Sequence, residues 1–154
     1  MTLFGAPAST SFGAQNGAFN TSTSTAQDAP VVSPPSDTIS SLNFTPAPNA
    51  NFLVSTSWSG QVQCWEVGMQ GTSVASQPKA ETKHDLPLDS AWFSDGTKVL
   101  TGGCDRTVKL WDLGSNSQVI IGQHDGPIRH VCVLDASATG GTPIIATGVP
   151  QKRR

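Results

Sequence analysis

Charge is scarce in this chain: Asp, Glu, Lys and Arg make up 13% of its 154 residues, and the formal net charge is −2. Such a surface does not hold nucleic acid by bulk attraction to phosphate, although a local basic patch stays open. Long apolar runs are also missing. No stretch reaches the roughly 18 apolar residues of a membrane-spanning helix, and the N-terminus lacks the basic-then-apolar order of a secretory signal. The expectation is an intracellular protein without membrane insertion. Cysteine is rare, and Cys64, Cys104 and Cys132 are odd in number, widely spaced and free of any Cys-x-x-Cys pair. That argues against a disulfide framework or a zinc knuckle and for reduced, buried thiols. There is no nucleophile elbow, Gly-rich phosphate loop or paired-carboxylate motif, so no enzyme activity and no cofactor are expected.

The N-terminal segment is short of charge in the extreme. Residues 1–35 contain one charged side chain, Asp28, in a field of Ser, Thr, Ala, Gly, Asn, Gln and Pro. A segment of this composition buries too little apolar surface to order itself and reads as a disordered tail. Phe4-Gly5, Phe12-Gly13 and the nearby Phe19 resemble the cohesive Phe-Gly repeats of nuclear-pore proteins; incidental phenylalanines in an unstructured tail are the alternative.

What the rest of the chain has is alternation. Lys98 to Gly103 and Thr107 to Asp112 read as strands joined by the turn Cys104-Asp105-Arg106, because side chains of alternating character place one set on each face. A hairpin is marginal alone, so this one belongs to a larger sheet. Its pattern recurs. Phe52 to Trp58, the turn Ser59-Gly60 and Val62 to Val67 align Ser55 with Thr101 and Trp65 with Trp111, the two Trp being 46 residues apart. Lys83-His84-Asp85 reappears as Gln123-His124-Asp125, with the His residues 40 apart. The remaining strands are read at residues 39–44, 77–83, 86–93, 118–121, 128–134 and 143–147, with a loop over 68–76.

A period of about 40 to 46 residues, four short strands per unit, a His before the first strand and Trp-Asp closing the third resembles the WD-repeat β-propellers. The resemblance implies a buried hydrogen-bonded tetrad of His84, Thr101, Asp105 and Trp111, in which the carboxylate and the Thr hydroxyl take the two imidazole nitrogens and the indole N–H reaches the Thr oxygen. The first repeat has Pro35 and Ser59 where His and Asp belong. The third has His124 and Thr147 but ends Val149-Pro-Gln-Lys-Arg-Arg154, with Gln151 in the place of Asp.

The expected architecture is therefore all-β: an open arc of a propeller over residues 36–148, with blades at about 36–83 and 84–123 and a partial one at 124–148, followed by an aberrant basic tail at 149–154. A seven-bladed ring needs roughly 300 residues, so the chain reads as a truncated form with exposed edges, marginal stability and partial or no activity.

The FG-bearing leader with SWSGQVQCWEV, HDLPLDSAWFSDGTKVLTGGCDRTVKLWDL and IGQHDGPI resembles the WD-repeat messenger-RNA export factors that dock to nucleoporins. The resemblance implies a non-enzymatic scaffold at the nuclear pore. Its partners would be a segment of an FG nucleoporin, ribonucleoprotein or single-stranded RNA, and mitotic spindle or checkpoint proteins. Its locations would be the nucleus and nuclear envelope, with the cytoplasm and spindle pole besides. A mitotic-checkpoint kinetochore propeller is the alternative, and a hydrolase using His84 and Asp105 a distant one. The implied partner face is the rim of turns around Trp58, Arg106 and Asp125; strand packing for Trp58 and a solvated cation for Arg106 are the plainer readings. His130 and Cys132 share one face of a strand, but two ligands do not make a metal site, and none is expected.

Overall fold

The computed structural model describes residues 2–3, 29–134 and 140–150, and these form strands and turns only. A short pair, β1 (Thr2–Leu3) and β2 (Ala29–Pro30), precedes the first four-stranded sheet, composed of β3 (Ile39–Phe44), β4 (Phe52–Ser57), β5 (Gln61–Gln70) and β6 (Ser73–Lys83). The second sheet holds β7 (Pro87–Trp92), β8 (Lys98–Gly103), β9 (Thr107–Asp112) and β10 (Ser117–Gln123). The last pair is β11 (His130–Leu134) with β12 (Ile144–Gly148). Each sheet pairs strands in chain order and antiparallel, as short hairpin connections require. The leading strands β3, β7 and β11 are neighbours in space, with β7 in the middle, so the sheets stand side by side like blades.

Alternation along each strand supplies both flanks of the middle blade. Val99 and Trp111 join Trp92 and meet Val54, Val62 and Cys64 of the first blade, with Phe52 stacked on Trp92 at 6.3 Å between ring centroids. Leu100 and Val108 point the other way, to Ile128 and Val131, with Val133 and Val149 packed alongside. Full burial of a Val, Leu or Ile side chain stabilises by about 1.5–3 kcal/mol, so these two seams are the main source of cohesion. The second seam is close enough to demand glycine. A Cβ on Gly102 would lie 2.6 Å from Ile128 Cγ2 and 2.8 Å from Val131 Cγ1.

Three expectations change. The tail does not run to residue 35: from Ala29 the backbone is paired, Val31 is buried against Leu53 and Trp65, and Val32 N–H donates to Ser76 Oγ at 3.0 Å. Of the apolar cluster Ala29-Pro-Val-Val32 it is Val31 that is buried on the first blade, while Pro30 and Val32 are exposed. The Phe-Gly dipeptides and Phe19 lie outside the described residues. The loop expected at 68–76 is instead a continuation of the hairpin, with β5 and β6 paired to Gln70 and Ser73 and turning at Gly71 (φ +66°). Backbone pairing persists there although Gly68, Met69 and Gln70 are exposed on both faces. At the other end Val149 packs into the second seam and is not part of a solvated tail; residues 151–154 lie outside the described residues.

Candidate partner-binding rim and the network beneath it

The turn Cys104–Arg106 joins β8 to β9, and His84 arrives beneath it from the β6–β7 connection. His84 Nδ1 is 2.7 Å from Thr101 Oγ1, and Nε2 is 3.0 Å from Asp105 Oδ1. An ionised carboxylate only accepts, so Nε2 carries the proton and Thr101 donates its hydroxyl hydrogen to Nδ1. Thr107 completes the cage, its N–H donating to Asp105 Oδ1 at 3.0 Å and its hydroxyl to Oδ2 at 2.7 Å. Close packing protects the network: a Cβ on Gly103 would stand 3.0 Å from His84 Nε2.

Burial pushes the His84 imidazole below its ordinary 6.5, and the bond and charge of Asp105 offset this only in part. His84 is therefore neutral near pH 7, and its contact with Asp105 is a hydrogen bond to a carboxylate rather than an ion pair. At Asp105 burial acts upward, but the bonds from Thr107 and His84 together outweigh it and hold the carboxyl below 3.8.

Trp111 is not a member of this network. Its indole N–H donates to Asn116 Oδ1 at 2.9 Å, because Asn116 takes a left-handed conformation (φ 50°) in the β9–β10 turn and brings its amide back to the ring. Trp111 contributes through packing, being fully buried in the first seam. Thr107 is the member that sequence reasoning missed; a Thr two residues after a turn Asp, able to bond that carboxylate twice, was the available signal.

The other repeats keep fragments of the arrangement. His124 Nε2 meets Thr147 Oγ1 at 2.7 Å. In the first blade Ser55 Oγ is buried and has no hydrogen-bond partner among the described residues. Trp65 N–H there donates to Val32 O at 2.8 Å.

Above the network lies the rim. Trp58 occupies the β4–β5 turn with 42% of its surface exposed. Arg106 is exposed and held at φ 67°, a strained conformation for a side-chain-bearing residue. Its carbonyl accepts from His124 N at 2.9 Å, which ties the connection bearing exposed Asp125 to the same edge. Trp58 does not meet Arg106. It lines a cavity of about 570 Å³ with Ile39, Ser40, Leu88, Asp89, Arg129 and His130, and neither Arg106 nor Asp125 reaches that cavity. His130 and Cys132 share a face of β11, and among the described residues no group of three potential metal ligands exists.

Four-stranded antiparallel blades set side by side around their leading strands, with a His–Thr–Asp network fastening a turn on one edge, define an open arc of a β-propeller. Residues 30–66 and 80–112 match the family model described as "WD domain, G-beta repeat", so these two stretches carry WD repeats. It is 44% identical over 138 residues to a protein named mRNA export factor from Xenopus tropicalis, covering 85% of this chain and 36% of the relative. A Danio rerio protein of the same name is 45% identical over the same shares. Protein RAE1 of Arabidopsis thaliana is 46% identical over 122 residues, 78% of this chain and 31% of the relative. The chain thus spans about a third of the length of these curated relatives. The WD repeat is a scaffold module rather than an enzyme, and His84, Thr101 and Asp105 are spent on one another.

Proposed function

We propose that this chain is a non-enzymatic scaffold of messenger-RNA export. It takes a segment of an FG nucleoporin on the rim of Trp58, Arg106 and Asp125, and works in the nucleus at the pore. The observation that carries this reading is the similarity to proteins named mRNA export factor over 85% of the chain, which includes the complete His84 network. In this reading the network is structural: it holds the turn that presents Arg106. Contact with ribonucleoprotein is made through the bound partner, a division that suits a net charge of −2, since direct affinity for phosphate scales with the number of cations engaged.

A pull-down with immobilised FG-nucleoporin segment, beside checkpoint-kinase peptide and single-stranded RNA, tests the proposal. Capture by the nucleoporin segment, lost on Trp58→Ala, is the expected result. Preference for the kinase peptide would move the chain to the mitotic-checkpoint class, and equal retention of the Trp58 variant would remove the rim from the reading.

A further inference from the structure

The cavity beside Trp58 has an excess of unused donors. Of the four tryptophans, three have a hydrogen-bonded indole N–H: Trp65 to Val32 O, Trp92 to Asn43 O and Trp111 to Asn116 Oδ1. Trp58 has no such partner among the described residues, and its ring faces the cavity. Arg129 faces the same space, and its guanidinium makes no hydrogen bond or ion pair among the described residues. Its backbone is nevertheless fixed. Arg129 N–H donates to Gly148 O at 2.9 Å, and the preceding Ile128, fully buried, donates its N–H to Gly103 O at 3.0 Å.

The acceptors nearby are committed. Asp89 Oδ1 accepts from Ser90 N at 2.9 Å, and Oδ2 accepts from Val131 N at 3.0 Å with His130 Nδ1 at 3.8 Å. Ser40 Oγ is shared between Pro87 O at 2.6 Å and Thr56 Oγ1 at 2.8 Å. Ile39, Leu88 and the Trp58 ring form an apolar wall around these groups. A planar guanidinium and a neighbouring N–H donor match a carboxylate, and the apolar wall matches a hydrocarbon side chain next to it. The volume suits two or three side chains of a peptide. A phosphate backbone is less suited, because one cation beside the Asp89 carboxylate gives little attraction to a polyanion.

We propose that this cavity seats a Glu or Asp side chain and the apolar residue beside it, from an extended segment of a protein partner. The proposal rests on the reading that this rim is the partner face, and it names the chemistry that the face selects. In it Arg129 is the anchor and Trp58 the platform, while Arg106 stands outside the pocket.

The test uses the full chain and short fluorescent peptides that differ at one position, Glu-Leu, Gln-Leu or Lys-Leu, together with oligouridine RNA, followed by anisotropy and by the emission of exposed Trp58. The Glu peptide is expected to bind roughly tenfold tighter than the Gln peptide, the usual scale of a charge-assisted pair. Arg129→Ala should erase that preference and Arg129→Glu should transfer it to the Lys peptide, a swap that misfolding cannot produce. Lys79→Ala, at an exposed ion pair outside both the pocket and the rim, should leave it intact. Equal binding of Glu and Gln peptides, no swap, no binding of any peptide, or Arg129-dependent preference for the RNA would overturn the proposal. Undiminished capture of Arg129→Glu by the nucleoporin segment would remove this pocket and leave the nucleoporin reading standing. A peptide swap without nucleoporin capture would do the reverse.

Discussion

Replacing Asp105 by Asn changes almost no volume and isolates the network's chemistry. The carboxylate accepts three bonds within 3.0 Å, from His84 Nε2, Thr107 N and the Thr107 hydroxyl. An amide keeps one accepting oxygen and turns an N–H toward a donor at the other position, so at least one donor loses its partner. A buried donor left unsatisfied costs about 1–3 kcal/mol. Because the Asp105 side chain is 18% exposed and water can reach it, the lower half of that range is expected, about 1–2 kcal/mol. In urea, with a slope of about 1–2 kcal/mol/M for a domain of this size, the midpoint should fall by about 1 M at unchanged slope. Tryptophan fluorescence reads the transition through Trp92 and Trp111 in the first seam. A double-mutant cycle with Thr107→Val should show coupling, since both side chains belong to one network. A midpoint within about 0.2 M of the parent would refute the claim that this network fastens the turn.

Acidification should weaken the fold in two stages, monitored by thermal melts across pH. His84 is depressed below 6.5 in the folded state, so the unfolded chain binds a proton first and stability is lost as pH falls below about 6.5. Asp105 is depressed below 3.8, and its share is present above that value and lost as pH falls further. Gly102→Ala should destabilise by about 1–3 kcal/mol in chemical unfolding, because the new methyl meets Ile128 and Val131 at the closed seam between blades. Trp111→Ala should cost about 3–5 kcal/mol by the same assay, through its cavity rather than a lost tetrad bond. Trp58→Ala, at an exposed turn, should shift the melting temperature little.

The strands around Thr97–Leu113 were legible because alternation, turn residues and the repeated spacing all agree there, and each flank of that blade meets another blade. The loop expected at 68–76 failed for a physical reason: Gly68, Met69 and Gln70 carry no burial signal, since both faces of the long hairpin are in solvent and only backbone pairing holds it. Val31 was hidden by averaging composition over a polar tail, although this single residue packs against Leu53 and Trp65. His84, Thr101 and Asp105 could be placed through the resemblance to WD repeats, whose tetrad maps onto these positions, and the structure brings the three together. The partner of Trp111 could not, since it depends on the left-handed turn at Asn116. Arg129 and His130 were invisible as neighbours of Trp58 because they come from a different blade, brought together only by the side-by-side arrangement of β3, β7 and β11.

The central claim is that this chain binds a protein partner through its rim while the His84 network only supports the fold. Calorimetric titration of an FG-nucleoporin segment into the parent chain, Trp58→Ala and Arg129→Glu, each with a melting curve, tests it most directly. Binding by the parent chain, lost or weakened at least tenfold in both rim variants at unchanged melting temperature, is the predicted result. Equal binding by all three, or no binding by a parent chain that melts cooperatively, would contradict it.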